Sequence, residues 1–207
     1  MAMANRGVLL ALEGIDGCGK STKARLLAQT LVAGGREVVL TCEPTDGPVG
    51  QELRKYFQSG TRYLSPKEEL NLLMADRQDH VERVIKPALA AGKIVITDRY
   101  YYSSVAYQGA LGLDPDRILV QNEILAVRPD LAVIFTLPPA QALARLSMDP
   151  QRDRQITEEL DYLERVAAIY AVLHGPHLRH LDASGPPPAV QEALLTLVLE
   201  LLDKSDP

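Results

Sequence analysis

"VLLALEGIDGCGKST", residues 8–22, runs from an apolar stretch through three glycines into Lys-Ser-Thr. The run Val8 to Leu12 reads as a strand buried on both faces. Gly14, Gly19, Lys20 and Ser21 then fit G-x-x-x-x-G-K-[ST], the phosphate-binding loop. A polyphosphate carries several negative charges and must be held closely without bulk. Glycines let the backbone wrap it and aim N–H groups at it. A helix N-terminus adds unpaired N–H groups and a favourable dipole. Lys20 is the candidate for the β- and γ-phosphates of a nucleoside triphosphate and Ser21 for Mg²⁺, with Asp16, Gly17, Cys18 and Thr22 completing the cradle. Cys18 reads as a small residue tolerated in the loop rather than a redox-sensitive thiol.

Outward from the loop, short apolar runs alternate with longer helical patterns, the mark of an α/β fold with a parallel sheet. Strands are expected at Val8–Leu12, Glu37–Thr41, Ile94–Thr97, Leu131–Thr136 and Leu178–Leu181. A first helix is expected from Ser21 to Gly34-Gly35. Ser65-Pro66-Lys67-Glu68 is a capping box with proline at the first helical position. The helix it opens should run towards Ala91-Gly92 and bend around Pro87. Further helices are expected at Tyr101–Gly109, Pro115–Ala126, Pro139–Ser147, Glu158–Leu173 and Pro188–Leu202.

A chain of 207 residues suits a single domain, with 46% hydrophobic and 24% charged residues. The net charge of −5 gives no overall basic field, so no nucleic-acid partner is expected. No apolar run reaches the ~18 residues that a membrane span requires, and the N-terminus lacks the apolar core of a signal peptide. Two cysteines, Cys18 and Cys42, make no disulfide framework. A reducing cytoplasm is the expected location. The histidines of "HGPHLRH", residues 174–180, lie around a turn without cysteine or carboxylate company, and their spacing is not that of a zinc site.

"VITDRYYYSSVAYQG", residues 95–109, is a strand ending in Asp98-Arg99 that leads into an aromatic, hydroxyl-rich helix. Ligands in open α/β sheets bind beyond the carboxyl ends of strands. Asp98 is there a candidate for Mg²⁺, directly or through water, and Arg99 for clamping a phosphate with its planar fork. "ARLSMDPQRDRQITEEL", residues 144–160, brings Arg145, Arg152 and Arg154 within ten positions. Phosphoryl transfer requires positive charge over the moving group and exclusion of water, and an arginine-bearing lid at about 145–158 supplies both.

These pieces together resemble the bacterial thymidylate kinases, a family of nucleoside monophosphate kinases. The resemblance rests on "EGIDGCGKST", on Glu43-Pro44, on "LMADRQDHVERVIKPALAAGKIVITDRYYYSSVAYQG" at 73–109 and on "RPDLAVIF", all in family order along nearly the whole chain. It implies a three-layer α/β/α P-loop kinase fold with a five-stranded parallel sheet, and a homodimer packed through long helices. It implies ATP-dependent phosphorylation of dTMP to dTDP. Asp16 resembles the carboxylate that meets the sugar 3′-hydroxyl or organises the phosphates. Arg54 resembles the arginine on the acceptor phosphate, Arg77 the one that reads the thymine edge, and Arg99 the phosphate ligand at the transfer site. Glu43, Pro44, Ser103, Ser104 and Gln108 fall at acceptor-binding positions, and Tyr107 at the ring that disfavours a 2′-hydroxyl. Asp182-Ala183-Ser184 resembles the loop beside adenine. Ile15, Asp16, Gly17 and Cys18, between the two loop glycines Gly14 and Gly19, include no basic residue, which resembles the subgroup whose basic help comes from the lid.

Three positions depart from the family pattern. The arginine before Glu-Pro is Cys42, the aromatic residue four places before Arg77 is Leu73, and the fourth-strand aspartate is Thr136. Losing an aromatic stack costs ~1–3 kcal/mol on single-stranded bases. Two alternatives therefore stand beside a dTMP kinase. One is a kinase of another nucleoside monophosphate or of a deoxynucleoside, and the other is a non-catalytic nucleotide-binding module.

Overall fold

Strand β1, Val8–Gly14, is buried along its whole length, which is why its inward and outward positions are both apolar up to Leu12. The computed structural model describes residues 6–148 and 155–205. Strands β2 (Val38–Cys42), β3 (Ile94–Asp98), β4 (Leu131–Thr136) and β5 (Leu178–Asp182) join β1 in one parallel sheet of order β2-β3-β1-β4-β5. Parallel register does the first work of assembling a site. Asp98 lies beside Leu12 on one side and Cys42 on the other, so the loops after β1, β2 and β3 all open at one edge.

Helix α1 (Lys20–Ala33) packs on the sheet and on the last helix, α9 (Pro187–Ser205). Helices α5 (Tyr101–Gly109) and α8 (Leu160–Val172) form a second packed pair against β1 and β4. The result is the three-layer α/β/α arrangement of P-loop kinases.

Helix α3 (Pro66–His80) begins in the expected capping box: Glu68 N–H donates to Ser65 Oγ at 3.3 Å and Ser65 N–H to Glu68 Oε2 at 2.8 Å. The expected bend is resolved differently. A π-turn, Val81–Ile85, carries the chain without a break into α4, Lys86–Ala90. Pro87 lacks an N–H and its ring crowds the preceding turn, and the wider π-turn accommodates both. Helices α6 (Pro115–Leu125) and α7 (Pro139–Ser147) fall where expected. Helix α2, Pro48–Gln58, was not expected from the sequence. Its signals are Pro48 at the first helical position after Gly47 and the spacing of Leu53 and Tyr56, both buried.

Candidate active site

Between β1 and α1 the loop depends on left-handed backbone. Gly17 has φ +84°, and a Cβ there would lie 2.4 Å from the carbonyl oxygen of Ala142. Gly19, at φ +91°, precedes α1 without any side-chain cap. The first N–H groups of α1 are thus left for an anion. Lys20 folds back in this state, its Nζ donating to Ile15 O at 3.0 Å. Gly17, Gly19, Lys20, Ser21 and Thr22 line a cleft of about 770 Å³ together with Arg54, Asp98, Arg99 and Arg145. Cys18 turns its side chain inward and is buried, and Gly14 packs beneath the loop against Phe135.

Asp98 and Arg99 stand where expected. Asp98 Oδ1 is buried and has no hydrogen-bond partner among the described residues. Arg99 adopts φ +70°, a conformation that costs a non-glycine residue energy. Its N–H bonds Leu12 O at 2.9 Å and its carbonyl accepts from Thr97 Oγ1 at 2.7 Å. The guanidinium donates to Asp16 Oδ1, to Ser103 Oγ at 3.0 Å and to Tyr107 Oη at 3.2 Å, and lies 4.9 Å from the Tyr107 ring. Asp16 Oδ2 accepts from Tyr107 Oη at 3.0 Å and from Thr157 Oγ1 at 3.2 Å. Burial alone would raise the Asp16 carboxyl, but the charges of Arg99 and Lys20 outweigh it and hold the group well below the usual carboxylate range.

Behind this pair lies Glu13, which sequence reasoning missed. It is fully buried and accepts from Tyr100 N–H at 2.9 Å, Ser103 Oγ at 2.6 Å and Tyr170 Oη at 3.0 Å. Burial pushes its carboxyl up to about 7, against the opposing pull of Ser103 and Arg99. A lone carboxylate closing an apolar central strand was the available signal.

A narrower cavity of about 70 Å³ adjoins the cleft and shares Asp16, Glu43, Pro44, Phe57, Arg99 and Gln155 with it. Its other walls include Leu73, Arg77, Tyr100, Ser103, Ser104, Tyr107 and Gln108. Arg77 is 1% exposed. It donates to Glu43 Oε2 from Nε at 2.9 Å and from Nη2 at 2.7 Å, and from Nη1 to Ser104 Oγ at 3.1 Å and Asn122 Oδ1 at 2.5 Å. The other Glu43 oxygen lies 2.9 Å from His80 Nδ1, and His80 Nε2 lies 2.8 Å from Thr41 Oγ1. A buried arginine is tolerable only when so paired. The sequence pointed to Glu43 and Arg77 but not to His80 or Asn122, which complete the set from 37 and 45 residues away.

Arg54 lines the wide cleft, its Nη2 donating to Pro44 O at 2.6 Å and lying 3.2 Å from Cys42 Sγ. Burial, opposed by Arg54, raises the Cys42 thiol. Phe57, one helical turn from Arg54 on α2, gives the cavity an aromatic wall, whereas Leu73 offers an aliphatic one. It could have been found in "ELRKYF" through its i+3 spacing from Arg54. In the segment where a lid is expected, Ile156 N–H donates to Phe57 O at 3.0 Å, and Arg145 Nη2 to Ala183 O at 3.0 Å. Asp182 is not brought to the cleft. It lines a separate, largely apolar cavity beside Thr136 and Tyr170, and its Oδ1 accepts from Ser184 N–H at 2.8 Å. Arg152 and Arg154 lie outside the described residues. Among the described residues no cluster of histidine, cysteine and carboxylate side chains could by itself hold a metal ion.

The family model described as thymidylate kinase matches residues 12–194. The chain belongs to the thymidylate kinase family. Relatives of the same name include that of Desulfotalea psychrophila, 40% identical over 198 residues, which span 96% of this chain and 97% of the relative. The thymidylate kinase of Xanthomonas campestris pv. campestris (strain B100) is 46% identical over 199 residues, 96% of this chain and 86% of the relative. That of Xanthomonas oryzae pv. oryzae (strain PXO99A) is also 46% identical over 199 residues. The thymidylate kinase match begins within β1 and ends within α9, so the phosphate loop, the Asp98-Arg99 turn and the Arg77 cavity all lie inside it.

Proposed function

We propose that this chain transfers the γ-phosphoryl group of ATP to dTMP, giving ADP and dTDP. The observation that carries the reading is the joined pair of spaces. A wide cleft on a phosphate loop meets a narrow cavity with a buried arginine, and Asp16 and Arg99 stand at their border. An oxygen of the acceptor phosphate attacks the γ-phosphorus in line. The new P–O bond forms as the bond to the β–γ bridging oxygen breaks, and ADP leaves with that electron pair. The acceptor oxygen is already anionic at neutral pH, so no general base is required, and positioning and charge neutralisation supply the acceleration.

In this scheme Lys20 swings from Ile15 O to the β- and γ-phosphates, and the open N–H groups of α1 hold the rest of the polyphosphate. Arg99 and Arg54 hold the acceptor phosphate. Asp16 keeps Arg99 aimed and offers its second oxygen towards the sugar. Arg77, Ser104 and Gln108 address the base, Leu73 and Phe57 flank it, and Tyr107 crowds a 2′-hydroxyl. Ser21 and Asp98, whose Oδ1 has no described partner, are the hard oxygen donors that would hold Mg²⁺, which when bound neutralises phosphate oxygens. Arg145 serves the bound nucleotide, and Arg152 and Arg154, outside the described residues, are the candidates for supplying positive charge to the transferring group. Loss of Arg152 or Arg154 should lower kcat more than it raises the KM for ATP.

The same reading makes residues 1–207 one domain and the working unit a cytoplasmic homodimer. Val120 and Ile124, one turn apart on α6 and 60% and 81% exposed, offer an apolar strip for the second copy. No helix among the described residues is long and apolar enough to cross a membrane. A panel of acceptors assayed with ATP and Mg²⁺ tests the proposal: dTMP, dUMP, dCMP, UMP, purine monophosphates and thymidine. The expected order puts dTMP first. Another acceptor ahead of dTMP by tenfold in kcat/KM would replace it, and ATP binding without transfer to any acceptor would make the chain a binding module.

A further inference from the structure

Gln108 lines the narrow cavity and is 1% exposed, yet its carbonyl Oε1 has no hydrogen-bond partner among the described residues. An unpaired buried carbonyl is costly, and such atoms are uncommon. Its amide nitrogen is committed: Nε2 donates to Glu69 Oε1 at 2.7 Å. Glu69 lies on α3, two turns before Arg77, and is wholly buried. Its other oxygen accepts from Tyr56 Oη at 2.7 Å and from Arg62 Nη1 at 2.6 Å. Burial, and then the bond to Glu69, raise the Tyr56 phenol, so it remains a donor. Glu69 therefore faces three donors and has none to give. Turning the Gln108 amide over would press its carbonyl against this acceptor-only carboxylate.

We propose that Glu69 is a specificity-setting positioning residue, which locks the Gln108 amide so that its carbonyl is the atom offered to the acceptor base. A carbonyl selects a base edge that donates. Thymine carries N3–H, whereas cytosine has a lone pair at N3, and two acceptors would then meet in a dry cavity. The inference rests on the dTMP reading above and adds to it the source of discrimination against a cytosine edge. Arg77 points the same way. Four of its five N–H groups are spent on Glu43, Ser104 and Asn122, so at most one remains for the O4 carbonyl. Glu69 touches neither substrate nor reacting atoms in this account. Its effect passes through Gln108.

The test compares dTMP with 5-methyl-dCMP, which has the same shape and differs only at the N3/C4 edge. Sites built to hydrogen-bond a substrate reject the analogue lacking the match by large factors, so the wild type should prefer dTMP at least ~10²-fold in kcat/KM. Glu69→Gln frees the amide to turn and should narrow that ratio at least tenfold. A purely structural role would lower both rates together and leave the ratio alone. Gln108→Met removes the carbonyl at similar size and should also narrow the ratio, which keeps the idea testable if Glu69→Gln does not fold. In the Gln108→Met background a folded Glu69→Gln should change the ratio no further. A wild-type ratio that survives in Gln108→Met, or in folded Glu69→Gln, overturns the inference while leaving dTMP as the substrate. A wild type that prefers a different acceptor overturns the dTMP reading itself, and that is visible before any variant is made.

Discussion

Around the phosphate loop, the groups that face the cleft are mainly backbone N–H atoms and one lysine within a single run of sequence. Around the narrow cavity they include side chains drawn from the end of β2 and from α3 and α5, held by two buried polar sets, one through Glu43, Arg77 and Asn122 and the other through Glu69. The first arrangement depends on local backbone shape and borders the wide cleft. The second is buried, and each member exists in its present form because another residue satisfies it. Variants at the loop should therefore change turnover and spare the fold, whereas variants in the network should damage both.

The largest effect is expected in the network. Arg77→Leu leaves Glu43 buried with His80 as its remaining ion-pair partner among the described residues, and breaking such a pair costs ~3–5 kcal/mol. Urea unfolding of the wild type and variant measures this. A loss below ~1 kcal/mol would mean that the cavity end is no more demanding than the loop. At the loop, Lys20→Ala should lose at least ~10²-fold in kcat, the scale of one transition-state donor, with unfolding free energy within ~1 kcal/mol of wild type. Turnover near that of the wild type would remove Lys20 from the phosphate site.

The same contrast explains what the sequence could disclose. The strands β1, β3 and β4 were legible because sheets covered on both faces require unbroken apolar runs. Lys20 and Ser21 were legible because the loop's chemistry is contiguous. Helix α2 was not, since Gly47 offers no capping side chain and Gly50 weakens its first turn. Phe57 went unseen with it. His80, Asn122 and Glu69 look like ordinary polar positions on helices until the sheet brings α3, α5 and α6 together. Arg77 and Gln108 were reached through family resemblance. Their bonding partners had no sequence signal of comparable strength.

Glu13 joins the two regions, and its effect is a matter of pH. A carboxyl raised from 4.5 to about 7 binds its proton more tightly in the folded chain than in the unfolded one. Its contribution to stability is thus complete below about pH 4.5 and is lost as pH rises through about 7, some ~3 kcal/mol in all. Glu13→Gln cannot titrate. The stability of the variant relative to the wild type should climb from pH 5 to pH 8, read from urea midpoints at each pH. A difference that stays flat across that range would show that Glu13 is ionised throughout.

The smallest effect concerns the two walls beside the base, and it asks whether the cavity is as rigidly specified as its polar floor. Leu73 and Phe57 make no hydrogen bonds with their side chains and sit half-buried at its rim, so they can change without orphaning a polar group. Phe57→Leu removes a π-face and should raise the KM for dTMP by about 1 kcal/mol, near fivefold, with little change in melting temperature. Leu73→Phe adds a face and should tighten dTMP by up to ~1–2 kcal/mol. An overfilled cavity would instead cost about as much and would lower the melting temperature as well. The double variant separates these cases. If Leu73→Phe restores dTMP affinity in the Phe57→Leu background, the aromatic wall has only moved from one side of the base to the other, and the departure at Leu73 is compensated by α2. If each change weakens dTMP and the double variant is weaker still, the two side chains act through shape alone and neither stacks on the base.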